Sequence, residues 1–310
     1  MEYKPNYLCD LHCHTTRSDG NDEPAELIQN AARLGMRAIA ITDHDIVPPQ
    51  TILVNGVETD TSVYARELGI TVLLGCEISC DIDVEDVHIL AFGCDWTDGY
   101  FASLEKVVQK SKVDAYRELV NALCAHGMDM TWEEVLYNAG KPRKPEEVQK
   151  KQIFELLAHK GYFPTWQEAK LAVKETPAFS IKRQKPDPMR AIEAIHNANG
   201  IAILAHPFLI GEAQSGGRER YIGRLIDAGL NGMEACYPYH KTSYGGTGSD
   251  EHIERYIRAT YTDRVKILSG GSDYHADFKK GVHNARQIGE CGVTPEYLFE
   301  NPYLSALVNE

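Results

Sequence analysis

Seven short apolar runs recur along the chain with helical stretches between them: YLCDLHCH, MRAIAITDHD, TVLLGCEISC, DVHILAFGCD, GIAILAHPF, GMEACYP and VKILSGGSDYH. Runs of this length and β-branched content suit strands covered on both faces, and their alternation with helices predicts parallel strands in a barrel-like α/β fold. The helices are visible in EPAELIQNAARLG, TSVYARELG, DPMRAIEAIHNANG, ERYIGRLIDAG and DEHIERYIRATY, several of them closing on Gly as helix C-termini do. The regularity breaks once. From about Asp98 to Pro186 the pattern becomes long amphipathic helices around the breaker-rich GKPRKPEE. This predicts a helical insertion at residues 99–186 between barrel segments 1–98 and 187–310. With 310 residues, 43% of them apolar, the chain has material for such a core.

The same composition narrows the function classes. No run approaches the roughly 18 apolar residues of a membrane span, and MEYKPNYL lacks the basic-then-apolar layout of a secretory signal, so the expected location is the cytoplasm. Eight cysteines are scattered without metal-finger pairing, which predicts reduced, mostly buried thiols. A net charge of −13 disfavours long nucleic acid and anionic membrane, both of which need clustered Lys and Arg. A small anionic substrate stays compatible where the site itself is positive. Oligomeric state leaves no readable signal.

Chemistry gathers where polar residues interrupt the apolar runs. His12 and His14 close the first, Asp43 and His44 the second, Glu77 lies within the third, and His88 opens the fourth. His206 closes the fifth, and Asp273 and His275 the last. In a strand, residues i and i+2 share a face, so His12 and His14 aim at one point, while Cys13 packs behind them. Strand ends of a β/α barrel form one rim, which brings these groups from distant segments together. Imidazole and carboxylate donors without a cysteine pair suit divalent Zn, Mn or Fe. More than four donors means more than one ion. Glu77 has two oxygens with which to bridge ions, and a water held between them would lose a proton near neutral pH to become a nucleophile. His126, His159, His196 and His252 lie in helical patterns and read as surface or packing residues; His240 stays open between these roles.

DLHCHTTRSDG, ITDHD, GCEIS, VHILAFG, LAHP and GSDYH resemble, in order, the motifs of the PHP family, named for polymerase and histidinol phosphatase. The resemblance runs from about Tyr7 to His275. It implies a distorted (β/α)7 barrel and two to three divalent metal ions. Residue by residue, it places one ion on His12, His14, Glu77 and Asp273, a second on Glu77, His88 and His206, and a third on Asp19, His44 and His275. Asp19 alone would read as a turn residue before Gly20. The HTTRSDG form and the insertion look most like the branch of nucleotide and small-molecule phosphoesterases, in which the insertion supplies cations for the substrate phosphate. Where that branch carries GRPH this chain reads VQKKQIFELLAHKGY, so Lys150 takes the place of an Arg whose fork geometry it lacks. Arg183, in FSIKRQKP, matches the Arg before the barrel resumes.

The resulting expectation is hydrolysis of a phosphate monoester on a nucleotide, such as a nucleoside monophosphate or 3',5'-bisphosphate, or on a similar small metabolite, by a metal-bridging hydroxide. Glu77, His206, Asp273 and His275 are its expected catalytic groups, with Arg183 and Lys150 on the phosphate. Three alternatives stay open: a 5'-to-3' exonuclease or phosphodiesterase on short oligonucleotides, a histidinol phosphatase, and a non-catalytic metal-binding module. Loops around Tyr237, Tyr239, His240 and TSYGGTGSD either frame the leaving group or are plain surface turns.

Overall fold

The computed structural model describes residues 3–80, 84, 87–137, 142–212, 216–242 and 244–308. Gly140 and Lys141 of the breaker-rich connection and Ser243 of the loop after β8 lie outside the described residues. In chain order the elements are β1 (Cys9–Asp10), α1 (Pro24–Arg33), β2 (Ala38–Ile41), β3 (Thr51–Val54), β4 (Val57–Asp60), α2 (Thr61–Glu67), β5 (Thr71–Cys80) and β6 (Val87–Phe92). There follow α3 (Gly99–Ala125), α4 (Trp132–Leu136), α5 (Lys150–His159), α6 (Trp166–Glu175), α7 (Pro188–Asn197), β7 (Ile201–Leu204), α8 (Arg218–Asp227) and β8 (Gly232–Cys236). The chain closes with α9 (Asp250–Tyr261), β9 (Ile267–Gly270), α10 (Pro295–Glu300) and α11 (Pro302–Val308). It divides into two compact units, Met1–Leu104 with Pro186–Glu310, and Glu105–Lys185.

In the first unit seven strands form one sheet in the order β1-β2-β5-β6-β7-β8-β9. Its two edges meet: Leu11 N–H donates to Gly270 O at 3.2 Å, and His14 N–H to Tyr274 O at 2.8 Å. The sheet is therefore a nearly closed (β/α)7-type barrel. Glycine makes the closure feasible, because a Cβ on Gly271 would stand 2.2 Å from the Cβ of His12. β2 is buried at all four positions, as a strand covered on both faces must be. Outside it, α1 begins with Pro24 at its first turn and buries Leu27, Ile28 and Ala31 in a layer that includes Cys13. Inside, Ala38, Ala40, Leu73, Leu90, Phe92 and Ile203 pack against Leu298 and Leu304 of the two C-terminal helices. Each of those leucines contributes about 1.5–3 kcal/mol by its burial.

The expectation of uniformly parallel strands needs correcting. β6 runs antiparallel to both β5 and β7, with Ser79 opposite His88 and Ile89 opposite Leu204. The short connection from β5 to β6 dictates this, since a parallel neighbour requires a crossover of a dozen residues or more. Apolar content is the same in either direction. A second two-stranded sheet, β3-β4, turns at Asn55-Gly56, both with positive φ as such a tight turn requires.

The second unit has its own core. Leu119, Val120 and Leu123 of α3, Val135 of α4, Ile153, Phe154 and Leu157 of α5, and Ala169 and Val173 of α6 pack together. Thr131 and Glu134 cap α4 reciprocally, the T-x-x-E arrangement that satisfies two otherwise orphan donors. Among the described residues no helix is long and apolar enough to cross a membrane.

Candidate metal centre

Glu77, near the middle of β5, is 1% exposed and stands at the centre of the histidines. Its Oε2 lies 3.1 Å from His12 Nε2, 3.1 Å from His14 Nε2 and 3.2 Å from His44 Nδ1. Its Oε1 faces His88 Nδ1 at 2.8 Å and His206 Nε2 at 3.0 Å. Asp273 Oδ1 is 3.2 Å from His14 Nε2, and Asp19 Oδ1 is 3.1 Å from His275 Nε2. All nine expected donors thus converge on one end of the barrel. By mutual donor distance they fall into three groups: His12, His14, Glu77 and Asp273; His14, Asp19, His44 and His275; and His44, Glu77 and His88. His206 stands against the same Glu77 oxygen as His88. β6 accounts for His88, since a reversed strand brings its first residues to the rim where parallel strands end.

Two observations fit the cluster to divalent cations. Glu77 Oε2 is buried without a hydrogen-bond partner among the described residues, although imidazole nitrogens surround it. The charge pattern is the second. Burial opposes ionisation of Glu77, yet His44, His12 and His88 hold its carboxyl well below the usual range. Asp273 is likewise held low against burial by Arg286, His12 and His275. These anions in turn keep protons on imidazoles when no cation is there. Burial works against a charged His14, but the attraction of the adjacent Asp273 and Glu77 carboxylates outweighs it and raises its pKa to about 10. His88 goes the other way, to about 4, chiefly through burial, so it is a neutral donor at pH 7. An excess of buried negative charge ringed by imidazole nitrogen is donor chemistry suited to divalent cations.

The backbone around the centre is strained. His206 and Asp273 have φ of 30° and 52°, the left-handed region that costs a residue with a Cβ. His206 is held there by Glu234, whose Oε2 accepts its backbone N–H at 2.7 Å. The other oxygen of Glu234 accepts from His12 Nδ1 at 3.0 Å. Asp43, adjacent to His44, accepts from Thr15 N, Thr15 Oγ1 and Ser18 Oγ at 2.8, 2.7 and 2.6 Å and thereby fixes the turn that carries Asp19.

A cavity of about 270 Å³ opens beside the donors, lined also by Leu209, Tyr237, Lys241, Thr242 and Arg286. Glu234 and Arg286 escaped the sequence reading. The available signal for Glu234 was a lone carboxylate inside the apolar run GMEAC, which must find a partner when buried. Arg286 lies in an irregular stretch with no pattern to mark it. Tyr237 and Tyr239 are buried in the barrel unit, where Tyr237 donates to Asp273 and Tyr239 accepts from the N–H of Phe208. His240 pairs with Asp250.

Lys150 and Arg183 belong to the helical unit and are neighbours there. Arg183 hydrogen-bonds the Tyr116 hydroxyl and stacks 4.9 Å from its ring centroid, and the backbone N–H of Lys150 donates to the same hydroxyl. Burial and the Arg183 charge depress the pKa of both Lys150 and a third cation, Lys112. Lys112 carries no mark in the sequence pattern.

Known proteins resemble this chain in sequence and fold. A 5'-3' exoribonuclease of Haemophilus influenzae is 30% identical over 64% of this chain and 68% of its own length. A 3',5'-nucleoside bisphosphate phosphatase of Chromobacterium violaceum is 26% identical over 92% of both chains. A Bifidobacterium adolescentis protein proposed to be a metal-dependent phosphoesterase shares the fold with a TM-score of 0.70, at 24% identity and over 96% of both chains. The PHP domain profile matches residues 10–170, more than half of the sequence, and the chain belongs to the PHP domain family.

Proposed function

We propose that this PHP-family hydrolase removes phosphate from a small phosphorylated metabolite, a nucleotide monoester such as a nucleoside monophosphate or 3',5'-bisphosphate, with two to three Mn, Zn or Fe ions. The observation that carries the reading is the buried Glu77 carboxylate, whose unpartnered Oε2 faces three imidazole nitrogens. His12, His14, Asp19, His44, Glu77, His88, His206, Asp273 and His275 hold the ions. When bound, divalent ions acidify water and offset the charge of phosphoryl oxygens. The chain does the rest. Glu77 and Asp273 fix the donor geometry from the barrel wall. His206 and His275 line the cavity as ion donors. Lys112, Lys150 and Arg183 take a substrate phosphate in the insertion, where Arg183 supplies the planar fork that lysine lacks. Cys13 and Cys76 do not serve as nucleophiles, since burial pushes both well above the usual thiol range.

A second reading is a 5'-to-3' exonuclease on short oligonucleotides, supported by the name of the Haemophilus influenzae relative. The match to the bisphosphate phosphatase spans more of this chain and favours the monoester. The deciding experiment is a phosphate-release screen of Mn-loaded protein against mononucleotides, nucleoside 3',5'-bisphosphates, histidinol phosphate, sugar phosphates and a short RNA, with Asp273→Ala as control. Turnover of one small monoester that vanishes in the control is the expected result. Preference for the RNA moves the assignment to nuclease, and silence throughout overturns both readings.

A further inference from the structure

We propose that Arg286 is a positioning residue of the metal centre, which together with Tyr237 locks Asp273 as a one-oxygen ligand. The inference rests on the reading that the cluster holds divalent ions. Asp273 presents its two oxygens to different surroundings. Oδ1 faces His12 Nε2 at 3.6 Å and His14 Nε2 at 3.2 Å, on the side where the donors converge. Oδ2 is turned away and engaged twice, by the Tyr237 hydroxyl at 2.7 Å and by an Arg286 guanidinium nitrogen. A carboxylate whose second oxygen is so held has only one left for an ion.

The same guanidinium reaches a second donor group. Its other terminal nitrogen lies 3.1 Å from His275 Nδ1, which is also 2.8 Å from the carbonyl of Asp273. With its Nδ1–H donated to that carbonyl, His275 has Nε2 free to face Asp19 at 3.1 Å. Asp273, which Arg286 holds, therefore links the His12, His14, Glu77 and Asp273 group through its carbonyl to His275 of the Asp19 group. The planar fork of Arg286 faces the carboxylates of Asp273 and, at 3.7 Å, Asp277 at once, which the point charge of lysine is not suited to do.

The loop that carries Arg286 is itself anchored. Gly289 N–H donates to the buried Asp10 Oδ2 at 2.8 Å, and Lys241 pairs with Glu290 at 2.6 Å while donating to the Ala285 carbonyl. Outer partners of this kind set ligand orientation, and their loss weakens metal affinity by about 10–100-fold.

The test measures ion binding directly. The full chain is stripped with chelator, and Mn uptake is followed by equilibrium dialysis with electron paramagnetic resonance of the free ion. Wild type is compared with Arg286→Ala, Arg286→Lys and Tyr237→Phe, with circular dichroism as the check on folding. We expect at least one Mn site of Arg286→Ala to weaken by about 10–100-fold, Arg286→Lys to recover little of it, and added guanidinium ion to restore it. Should Arg286→Ala not fold, Tyr237→Phe removes the other donor to Oδ2 and is expected to weaken the same site. Mn affinity equal to wild type in folded variants overturns the positioning role, and lost turnover alongside that affinity would make Arg286 a substrate contact instead. If wild type takes up no Mn, Zn or Fe, the metal reading itself falls, a result distinct from equal uptake by wild type and variants.

Discussion

Glu234 Oε1 stands 3.0 Å from His12 Nδ1, so the imidazole gives its N–H to a buried carboxylate and turns Nε2 toward Glu77 and Asp273. The other oxygen of Glu234 secures the left-handed His206 through its backbone N–H. One side chain on β8 therefore orients donors just past the ends of two other strands, β1 and β7. Glu234→Gln keeps the shape but offers a weaker acceptor, and the expected outcome is a 10- to 100-fold loss of metal affinity, roughly, in Mn titration. Glu234→Ala should in addition lower stability by about 1–3 kcal/mol in thermal melts, because the His206 N–H is left unpaired. Unchanged Mn affinity in the glutamine variant would show that His12 needs no such orientation.

Ion uptake should strengthen as pH rises. Burial opposes a protonated His14, but the adjacent Asp273 and Glu77 carboxylates raise it to about 10 in the metal-free protein, and that proton must leave when an ion enters. Each displaced proton makes apparent affinity rise about tenfold per pH unit below the relevant pKa. The stability of the metal-free chain moves oppositely. A raised folded pKa gives stabilisation that is complete below the unfolded value of about 6.5 and is lost as pH climbs through about 10. Urea midpoints of chelated and Mn-loaded protein at pH 6, 7, 8 and 9 should therefore diverge, and parallel curves would refute the linkage.

Asp43→Ala should loosen a single donor group. Asp43 holds the Thr15–Asp19 turn through three hydrogen bonds but belongs to none of the three groups itself. Elemental analysis is expected to find about one ion fewer per chain, with a stability loss of about 1–3 kcal/mol. Loss of every ion would mean that the turn supports the whole centre.

Two glycines should respond in opposite ways. A methyl on Gly271 would collide with the His12 backbone and Cβ, whereas one on Gly245 meets nothing within 4 Å. Gly271→Ala is expected to lower stability by about 1–3 kcal/mol or more and to impair Mn binding, and Gly245→Ala to stay within about 0.5 kcal/mol of wild type. Similar melting temperatures for the two variants would contradict the close approach at the barrel seam.

Leu157→Ala probes the helical unit. Leu157 is fully buried among α3, α4, α5 and α6 side chains, and truncation there costs about 2–5 kcal/mol. The unit should become protease-sensitive while Mn binding persists. A parallel loss of both would show that the two units unfold together.

Much of the donor cluster was legible because histidine and carboxylate are costly guests in buried strands, so their repeated appearance at the ends of apolar runs points to one meeting place. Barrel architecture followed from the same alternation. The direction of β6 did not, since VHILAF buries equally well either way and only the short approach from β5 decides it. The β3-β4 hairpin escaped notice although Asn55-Gly56 marks its turn. Glu234 was hidden because an apolar run with one polar member still reads as a strand. Arg286 and Lys112 act through partners 13 and 71 residues away or nearer in space alone, Asp273 and Arg183 respectively, and periodicity carries no trace of such pairings.

The seam between the first and last barrel strands imposes an order of assembly. Glu77 and His88 sit on one hairpin, 11 residues apart, and meet as soon as that hairpin forms. Asp10 and Ser272, 262 residues apart, meet only when the ring shuts, after a far larger loss of chain entropy. His12 and Asp273 flank that late junction. An ion gripped by both would act as a clasp, favouring the shut ring by mass action and leaving the open one unaided, so nascent chains would become metal-competent only at the final step.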